Sequence, residues 1–254
     1  MLKPVSYCVP GEVTSPKFAY GFAKGCKGSI TDEYTYLFEG PLALFASPPM
    51  WPLIRRAQAA GRTIYYGDHG YFGRRRFFRI TKNAYQHDGR GTASPDRWIF
   101  FQRPMQPWRK TGRTILVCPN TATYFGLHGL NVDRWLIEVR ETLARVTDRP
   151  IRIRWKVTAR PIEDDLADAW AVVVFSSAAA LDGLVAGVPC VTLAPWAASR
   201  RMGLTDLTQI ESPIYPDDRD PFFWNLANHQ WTWQEIFGGV AWRALQEEEE
   251  TRAA

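Results

Sequence analysis

Residues 170–193, WAVVVFSSAAALDGLVAGVPCVTL, decide the reading of the fold. Trp170 to Phe175 is apolar throughout, as a central strand of a parallel sheet covered on both faces should be. Ser176 and Ser177 then open a helix that runs to Gly187, where Gly187 and Pro189 give a stop signal. Cys190 to Leu193 supplies the next strand. Toward the amino terminus, Ile162 to Ala169 fits a short acidic helix, and Ile151-Arg-Ile-Arg-Trp155 alternates apolar and charged residues as a second strand. Between Asn131 and Val146, Trp135, Val139, Leu143 and Val146 recur at spacings of four, four and three, so they share one face of an amphipathic helix that Asp148-Arg-Pro150 stops. Arg113 to Pro119 is a further apolar run ending in a breaker. This alternation of strand and helix predicts a parallel sheet with right-handed crossovers and helices on both faces, a Rossmann-like lobe over residues 113–215.

The first part of the chain is less regular. Leu42 to Ala46 reads as a strand, Met50 to Ala60 as a helix and Thr63 to Tyr66 as another strand ending at Gly67. Phe77 to Thr81 and Trp98 to Phe101 are read as additional strands. The result is a second compact α/β lobe over residues 1–112. The last segment, residues 216–254, carries Trp224, Trp231, Trp233 and Trp242 with Phe222, Phe223 and Phe237. That is too much apolar area to leave in water, so the segment is expected to pack back across the body. The run Glu247 to Glu250 reads as a frayed terminal helix.

Composition narrows the function classes. The chain has 254 residues, 46% of them hydrophobic and 14% aromatic, so disorder is excluded as its main state. The longest uncharged stretch, Gly40 to Ile54, is interrupted by four prolines, so no spanning helix and no membrane partner are expected. The first residues lack the apolar core of a secretory signal, and the cytoplasm is the expected compartment. Cys8, Cys26, Cys118 and Cys190 lie far apart, without metal-ligand spacing, and read as reduced thiols. Residues 1–120 hold 18 Lys and Arg against 7 Asp and Glu, whereas the remainder is net acidic. A basic half suggests a polyanionic partner, although folding is able to intermix the halves.

Three places are candidates for chemistry. Ser176 and Ser177, at the carboxyl end of a central strand, are placed where a helix N-terminus binds phosphate, and Asp182 lies where a carboxylate reaches ribose hydroxyls. The bland alternative makes them a cap and a surface charge. Asp68 and His69, in Gly67-Asp-His-Gly70, follow a strand at a glycine-flanked turn, where α/β proteins place reactive groups. Either side chain can take a proton from an acceptor hydroxyl, Asp68 being favoured. Arg74, Arg75, Arg76, Arg79 and Lys82, interleaved with Phe72, Phe77 and Phe78, form the densest basic and aromatic cluster, suited to a phosphodiester backbone and an exposed base. Lys24, Lys27, Arg55 and Arg56 are candidates to widen the same surface. Asp218-Arg-Asp220 is read as an ordinary turn rather than a metal site, and no metal or other cofactor is expected.

The stretch SSAAALDGLVAGVPCVTL resembles the nucleotide-sugar-binding motif of GT-B-type glycosyltransferases and of their relatives in capsular polysaccharide synthesis. The resemblance implies that Ser176 and Ser177 contact the donor diphosphate, that Asp182 stands where the family has a ribose-binding Glu, and that Arg154 and Lys156 supply the opposing positive charge. Tyr65-Tyr-Gly-Asp-His-Gly-Tyr-Phe-Gly-Arg-Arg-Arg76, Arg79-Ile-Thr-Lys-Asn83 and Leu226 to Trp242 look like segments of phage-encoded glycosyltransferases that modify hydroxymethylated bases. Together these resemblances imply a compact, two-lobed, metal-independent GT-B-like enzyme with its site between the lobes. It would move a sugar from a nucleoside diphosphate, UDP being expected, to 5-hydroxymethylcytosine or 5-hydroxymethyluracil in DNA, in the host cytoplasm if phage-encoded. The alternatives are a glycosyltransferase of cell-surface or capsular polysaccharide synthesis and a non-catalytic nucleic-acid-binding protein with a relict fold.

Overall fold

The computed structural model of the chain describes residues 2–74 and 76–253. The chain divides into two compact units, Met1–Gln86 with Leu226–Ala254, and His87–Asn225. The sequence drew its boundaries at 112/113 and 215/216. In the structure residues 87–112 group with the second unit, and the carboxyl-terminal residues from 226 onward group with the first.

The first unit starts with β1 (Val5–Tyr7), α1 (Thr14–Cys26), β2 (Ser29–Thr31), β3 (Leu42–Phe45), α2 (Trp51–Ala59), β4 (Ile64–His69) and β5 (Phe77–Lys82). The second unit holds α3 (Asp96–Phe100), β6 (Thr114–Cys118), α4 (Ala122–Leu127), α5 (Val132–Val146), β7 (Ile151–Ile153), α6 (Ile162–Leu166), β8 (Ala169–Val174), α7 (Ala179–Val185) and β9 (Cys190–Thr192). Within α8 (Arg219–Asn228) the chain passes back to the first unit, which β10 (Gln230–Thr232), α9 (Trp233–Phe237) and α10 (Val240–Ala253) complete.

The sheet of the second unit has the order β7-β6-β8-β9 and is parallel throughout, as the apolar runs of β6 and β8 require. Ile115, Val117, Ala171, Val173 and Val191 meet Trp135, Val139 and Leu143 of α5 in one core, so the sequence periodicity identifies the buried face of that helix. Asn131 caps α5 by accepting from the Arg134 N–H at 3.0 Å. Each fully buried aliphatic side chain here is worth roughly 1.5–3 kcal/mol. The sheet of the first unit has the order β10-β5-β4-β3-β1-β2. Its strands β1 to β4 are parallel, while β5 and β10 are added antiparallel. Phe18 and Phe22 of α1 pack on Ala43, Phe45, Tyr65 and Phe78 from the sheet and on Trp231 from β10. The protein is thus an α/β fold with two Rossmann-like units, one with a mixed sheet and one with a parallel sheet flanked by helices.

Some expectations need correction. Trp98 to Phe101 is not a strand. Ser94-Pro95-Asp96 is a helix start, with the Asp96 N–H bonded to Ser94 Oγ at 3.2 Å, and buried Trp98 of α3 packs on Phe223 at 4.9 Å. The helix beginning at Ile162 stops at Leu166, because Ala169 already pairs in β8. The helix after β8 starts at Ala179 rather than Ser176 and has seven residues. Gly67 does not flank a turn. It lies within β4, where a Cβ would stand 2.4 Å from the Phe18 ring, so Gly67 makes room for the core. The four cysteines are free, and burial pushes the Cys118 and Cys190 thiols up to about 12. No helix among the described residues is long and apolar enough to cross a membrane.

Candidate active site

In a parallel α/β sheet, ligands bind at the carboxyl ends of the strands, where successive connections leave in opposite directions. Both sheets have such a switch point. In the first unit it lies between β1 and β3, in the second between β6 and β8. A side-chain hydrogen bond spans each. Ser47, just beyond β3, donates from Oγ to Glu12 Oε1, beyond β1, at 2.5 Å. Asn120, just beyond β6, accepts from the Ser176 N–H at 3.1 Å through Oδ1. Neither Glu12 nor Asn120 was singled out in the sequence. Only strand order makes them interesting, and strand order is not written in a local motif.

At the second unit's edge, Ser176 is buried and Ser177 partly so. Ser177 Oγ accepts from the Ala179 N–H at 3.4 Å, a local turn bond, and the N-cap position of α7 is occupied by Ala178 without a side-chain cap. The two serines therefore build the strand-to-helix turn and do not cap the helix. Asp182 meets Arg103 at 2.8 Å, each side chain about 30% exposed. Arg103 is delivered by the segment before β6, where the Gln106 and Arg109 N–H groups donate to Val185 and Gly187 carbonyls. A ribose approaching Asp182 meets this guanidinium as well.

Arg154 departs further from its expected role. It lies beyond β7, its N–H on the Val117 carbonyl, and its guanidinium is bound by Asp165 Oδ2, the Arg160 carbonyl at 2.5 Å and the Pro161 carbonyl at 3.4 Å. Asp165 is 1% exposed and also binds Arg160 and, at 3.2 Å, Arg152. Burial alone raises the Asp165 carboxyl, but Arg154, Arg160 and Arg152 outweigh it and hold the group below the usual carboxylate value. Arg154 is thus a strut of the β7–α6 connection, and the neighbouring exposed Lys156 is the better placed to meet a solvent-borne anion.

The same edge carries an aromatic wall. Trp196 stacks on His128 at 4.3 Å and donates from Nε1 to the Tyr124 hydroxyl at 3.2 Å, while Phe175 packs behind both rings. Burial pushes His128 down to about 4. The folded form therefore binds its proton less readily than the unfolded chain, whose value is near 6.5. This contribution to stability is complete above pH 6.5 and is lost as pH falls toward 4. Urea unfolding of His128→Phe should show a smaller loss between pH 7 and pH 4.5 than the parent protein, by on the order of 1–2 kcal/mol; equal losses would refute it.

In the first unit, Asp68 and His69 are the last residues of β4, directly opposite Arg79 and Phe78 of β5. Asp68 Oδ2 pairs with Arg79, and Oδ1 accepts from the His69 N–H at 2.7 Å. Arg79 also donates to the His69 carbonyl at 3.1 Å and lies over the Tyr71 ring at 5.0 Å. The structure thus brings Asp68, His69 and Arg79 together, but Arg79 is 5% exposed and is no surface contact for DNA. Phe72, Phe77 and Phe78 are buried in the core and present no face to a base. Lys82 pairs across from Tyr65, at the opposite end of β4 from Asp68. Arg74 and Arg76 are exposed in the β4–β5 connection, the Arg76 guanidinium 5.7 Å over Phe77. Arg75 lies outside the described residues. Asp218 of the D-x-D pairs with Arg201.

No protein-family model matches the chain. No curated protein matches its sequence. Among solved structures, a chain from Thermosulfurimonas dismutans described as KpsC, beta Kdo 2,4 transferase, superposes with a TM-score of 0.51 at 11% identity, over 91% of this chain and 92% of that one. Another from the same organism, described as KpsC, beta Kdo 2,7 transferase, covers 95% of this chain and 100% of its own at 12% identity, with a TM-score of 0.46. The first likeness places the chain in the fold of a known glycosyltransferase and, at that identity, speaks to the fold alone.

Proposed function

We propose that this protein is a glycosyltransferase that moves a sugar from a nucleotide-sugar donor to a hydroxyl of a growing cell-surface polysaccharide. The observation that carries the reading is the likeness, over about nine-tenths of both chains, to a chain described as a beta Kdo 2,4 transferase. The donor belongs to the second unit in this reading, at the β6/β8 switch point. Ser176, Ser177 and Asn120 line its phosphate end, Lys156 supplies the countercharge, and Tyr124, His128 and Trp196 offer a surface for the base. Asp182 reaches the ribose with Arg103 beside it. The acceptor belongs to the carboxyl edge of the first unit's sheet.

In the reaction the acceptor oxygen forms a bond to the anomeric carbon, the bond from that carbon to phosphate breaks, and the nucleotide leaves with the electron pair. The acceptor proton passes to Asp68, fixed in place by buried Arg79. A cation beside the departing phosphate lowers the barrier by meeting charge as it develops. Metal-independence is part of the proposal. A glycan acceptor is preferred to hydroxymethylated DNA because the basic cluster's aromatic residues and Arg79 are used within the fold.

The test is incubation of the protein with a panel of nucleotide sugars and, separately, oligosaccharide fragments and hydroxymethylated DNA, followed by mass spectrometry. A one-sugar mass gain on an oligosaccharide with stoichiometric nucleotide release is expected. A gain on DNA alone would replace the polysaccharide acceptor, and no transfer with any donor would overturn the activity.

A further inference from the structure

In α1, the exposed residues follow a strict course. Val13 at its N-cap, then Lys17, Tyr20 and Lys24, recur at spacings of four, three and four, so they form one stripe along the helix, and exposed Lys27 follows at its left-handed C-cap. The opposite stripe, Phe18, Phe22 and Cys26, is buried in the core. Ordinary solvent faces mix charges of both signs, but α1 contains no acidic residue.

The stripe continues onto α9. Gly21 and Gly25 allow the close approach: a Cβ on Gly25 would stand 2.2 Å from the Ile236 carbonyl oxygen, and one on Gly21 3.1 Å from Trp233 Nε1. Lys17 then lies over the Trp233 ring at 5.6 Å, Trp233 stacks on Phe237 at 5.1 Å, Phe237 meets Tyr20 at 5.8 Å, and Lys24 lies over Tyr20 at 5.8 Å. The Trp233 indole N–H donates to the Lys17 carbonyl at 3.1 Å, fixing the ladder to the helix. The acid of α9, Glu235, is turned back onto Thr232 in a capping box. Val13 and Val240 at the margins are 86% and 40% exposed.

From this ladder we infer that the first unit docks on the surface of an anionic lipid bilayer through α1 and α9. Tyr and Trp favour the headgroup level, and lysines flanking an apolar strip are attracted by anionic lipids. A dissolved polyanion such as DNA or an acidic glycan would gain from the lysines but nothing from exposed Val13, Val240 and Phe237, which gain only where acyl chains are at hand. The sequence reading expects no spanning helix and no membrane partner; attachment of this kind departs from the second expectation and needs no spanning segment. The inference stands independently of the transferase reading, since no donor-site residue takes part.

The full chain is sedimented with vesicles of phosphatidylcholine alone and of phosphatidylcholine with about a third phosphatidylglycerol, at low and high salt. Binding to the anionic vesicles that is lost at high salt, with quenching of tryptophan fluorescence by brominated lipid, is expected. Lys17→Glu with Lys24→Glu should weaken the partition about thirty-fold or more. Val13→Ser with Phe237→Ser should abolish the quenching while the salt dependence remains. All four side chains are exposed, and circular dichroism checks that the fold persists. Equal binding to both vesicle types, indifference to the lysine reversals, or lysine-dependent binding to DNA or heparin but not to vesicles would each overturn the inference. A protein that transfers sugar yet ignores vesicles loses only the docking surface, and the converse result loses only the activity.

Discussion

Asp165→Asn should lower the unfolding free energy by about 3–5 kcal/mol, the cost of breaking a buried ion pair from one side. The carboxylate is 1% exposed and three guanidiniums converge on it, those of Arg152, Arg154 and Arg160. Asparagine keeps the shape and removes the charge, leaving three cations facing one another with Arg154 only 12% exposed. The loss should depend on pH in a defined direction. The folded-state carboxyl lies below its ordinary 3.8, so its stabilisation is present above that value and disappears as pH falls through the lower folded-state value. Urea unfolding at pH 7 should therefore separate parent and variant widely, and at strongly acid pH the gap should close. A variant as stable as the parent at pH 7 would show that the cluster is solvated and that Arg154 is available to a ligand after all. Because Arg154 and Arg160 bracket the loop that carries Lys156, the same variant should bind donor more weakly.

The second unit was legible because its physics is local. The apolar runs of β6 and β8, the four-four-three spacing of α5 and the stop at Gly187 each lie within one short window. The first unit hid β1 and α1 for the converse reason. Val5–Tyr7 has only three residues, and α1 carries Pro16 in its first turn together with Gly21 and Gly25, poor helix formers, the two glycines finding their worth in the close approach of α9, more than 200 residues later in the chain. Sequence separation also concealed β10, which pairs Trp231 with Phe78. Among candidate site residues, Asp68, His69 and Ser176 were visible at strand ends. Their partners were not: Asn120 meets Ser176, and Arg79, read in the sequence as a surface cation, meets Asp68, only through tertiary packing, as Arg103 meets Asp182 and Asp165 meets Arg154. A dense run such as RRRFFR reads in one dimension as a single surface, but Arg74 and Arg76 belong to the exposed β4–β5 connection, whereas Phe77, Phe78 and Arg79 begin β5 and are buried.

Asp68→Asn should then cut sugar transfer by about 10²–10⁴-fold, the usual worth of a positioned proton acceptor, with the loss in kcat rather than in KM for the donor. The Arg79 pair fixes the carboxylate at the end of β4, and a base of this kind works only if the acceptor hydroxyl arrives at a side chain that is still reachable. Asp68 meets that condition at 22% exposed, with Arg79 at 6% behind it. Asparagine leaves that buried guanidinium without its charge partner, so the variant should also be less stable by about 3 kcal/mol. Unfolding and turnover must therefore be measured on the same preparation, well below the variant's melting temperature. Two neighbours provide the controls. Glu12, bonded to neutral Ser47 across the β1/β3 switch point, and His69, whose exposed ring packs edge-on against Phe45 at 5.2 Å, are two further proton acceptors along this edge. Glu12→Gln and His69→Gln should each cost less than about tenfold. If Asp68→Asn is destabilised but turns over normally, the Asp68–Arg79 pair is a strut of the β4–β5 ladder alone, and whichever of the two glutamine variants is inactive identifies the base. If all three remain active, the acceptor proton leaves to water, and the rate should track the strength of the phosphate countercharge, which makes Lys156→Ala the variant with the largest loss.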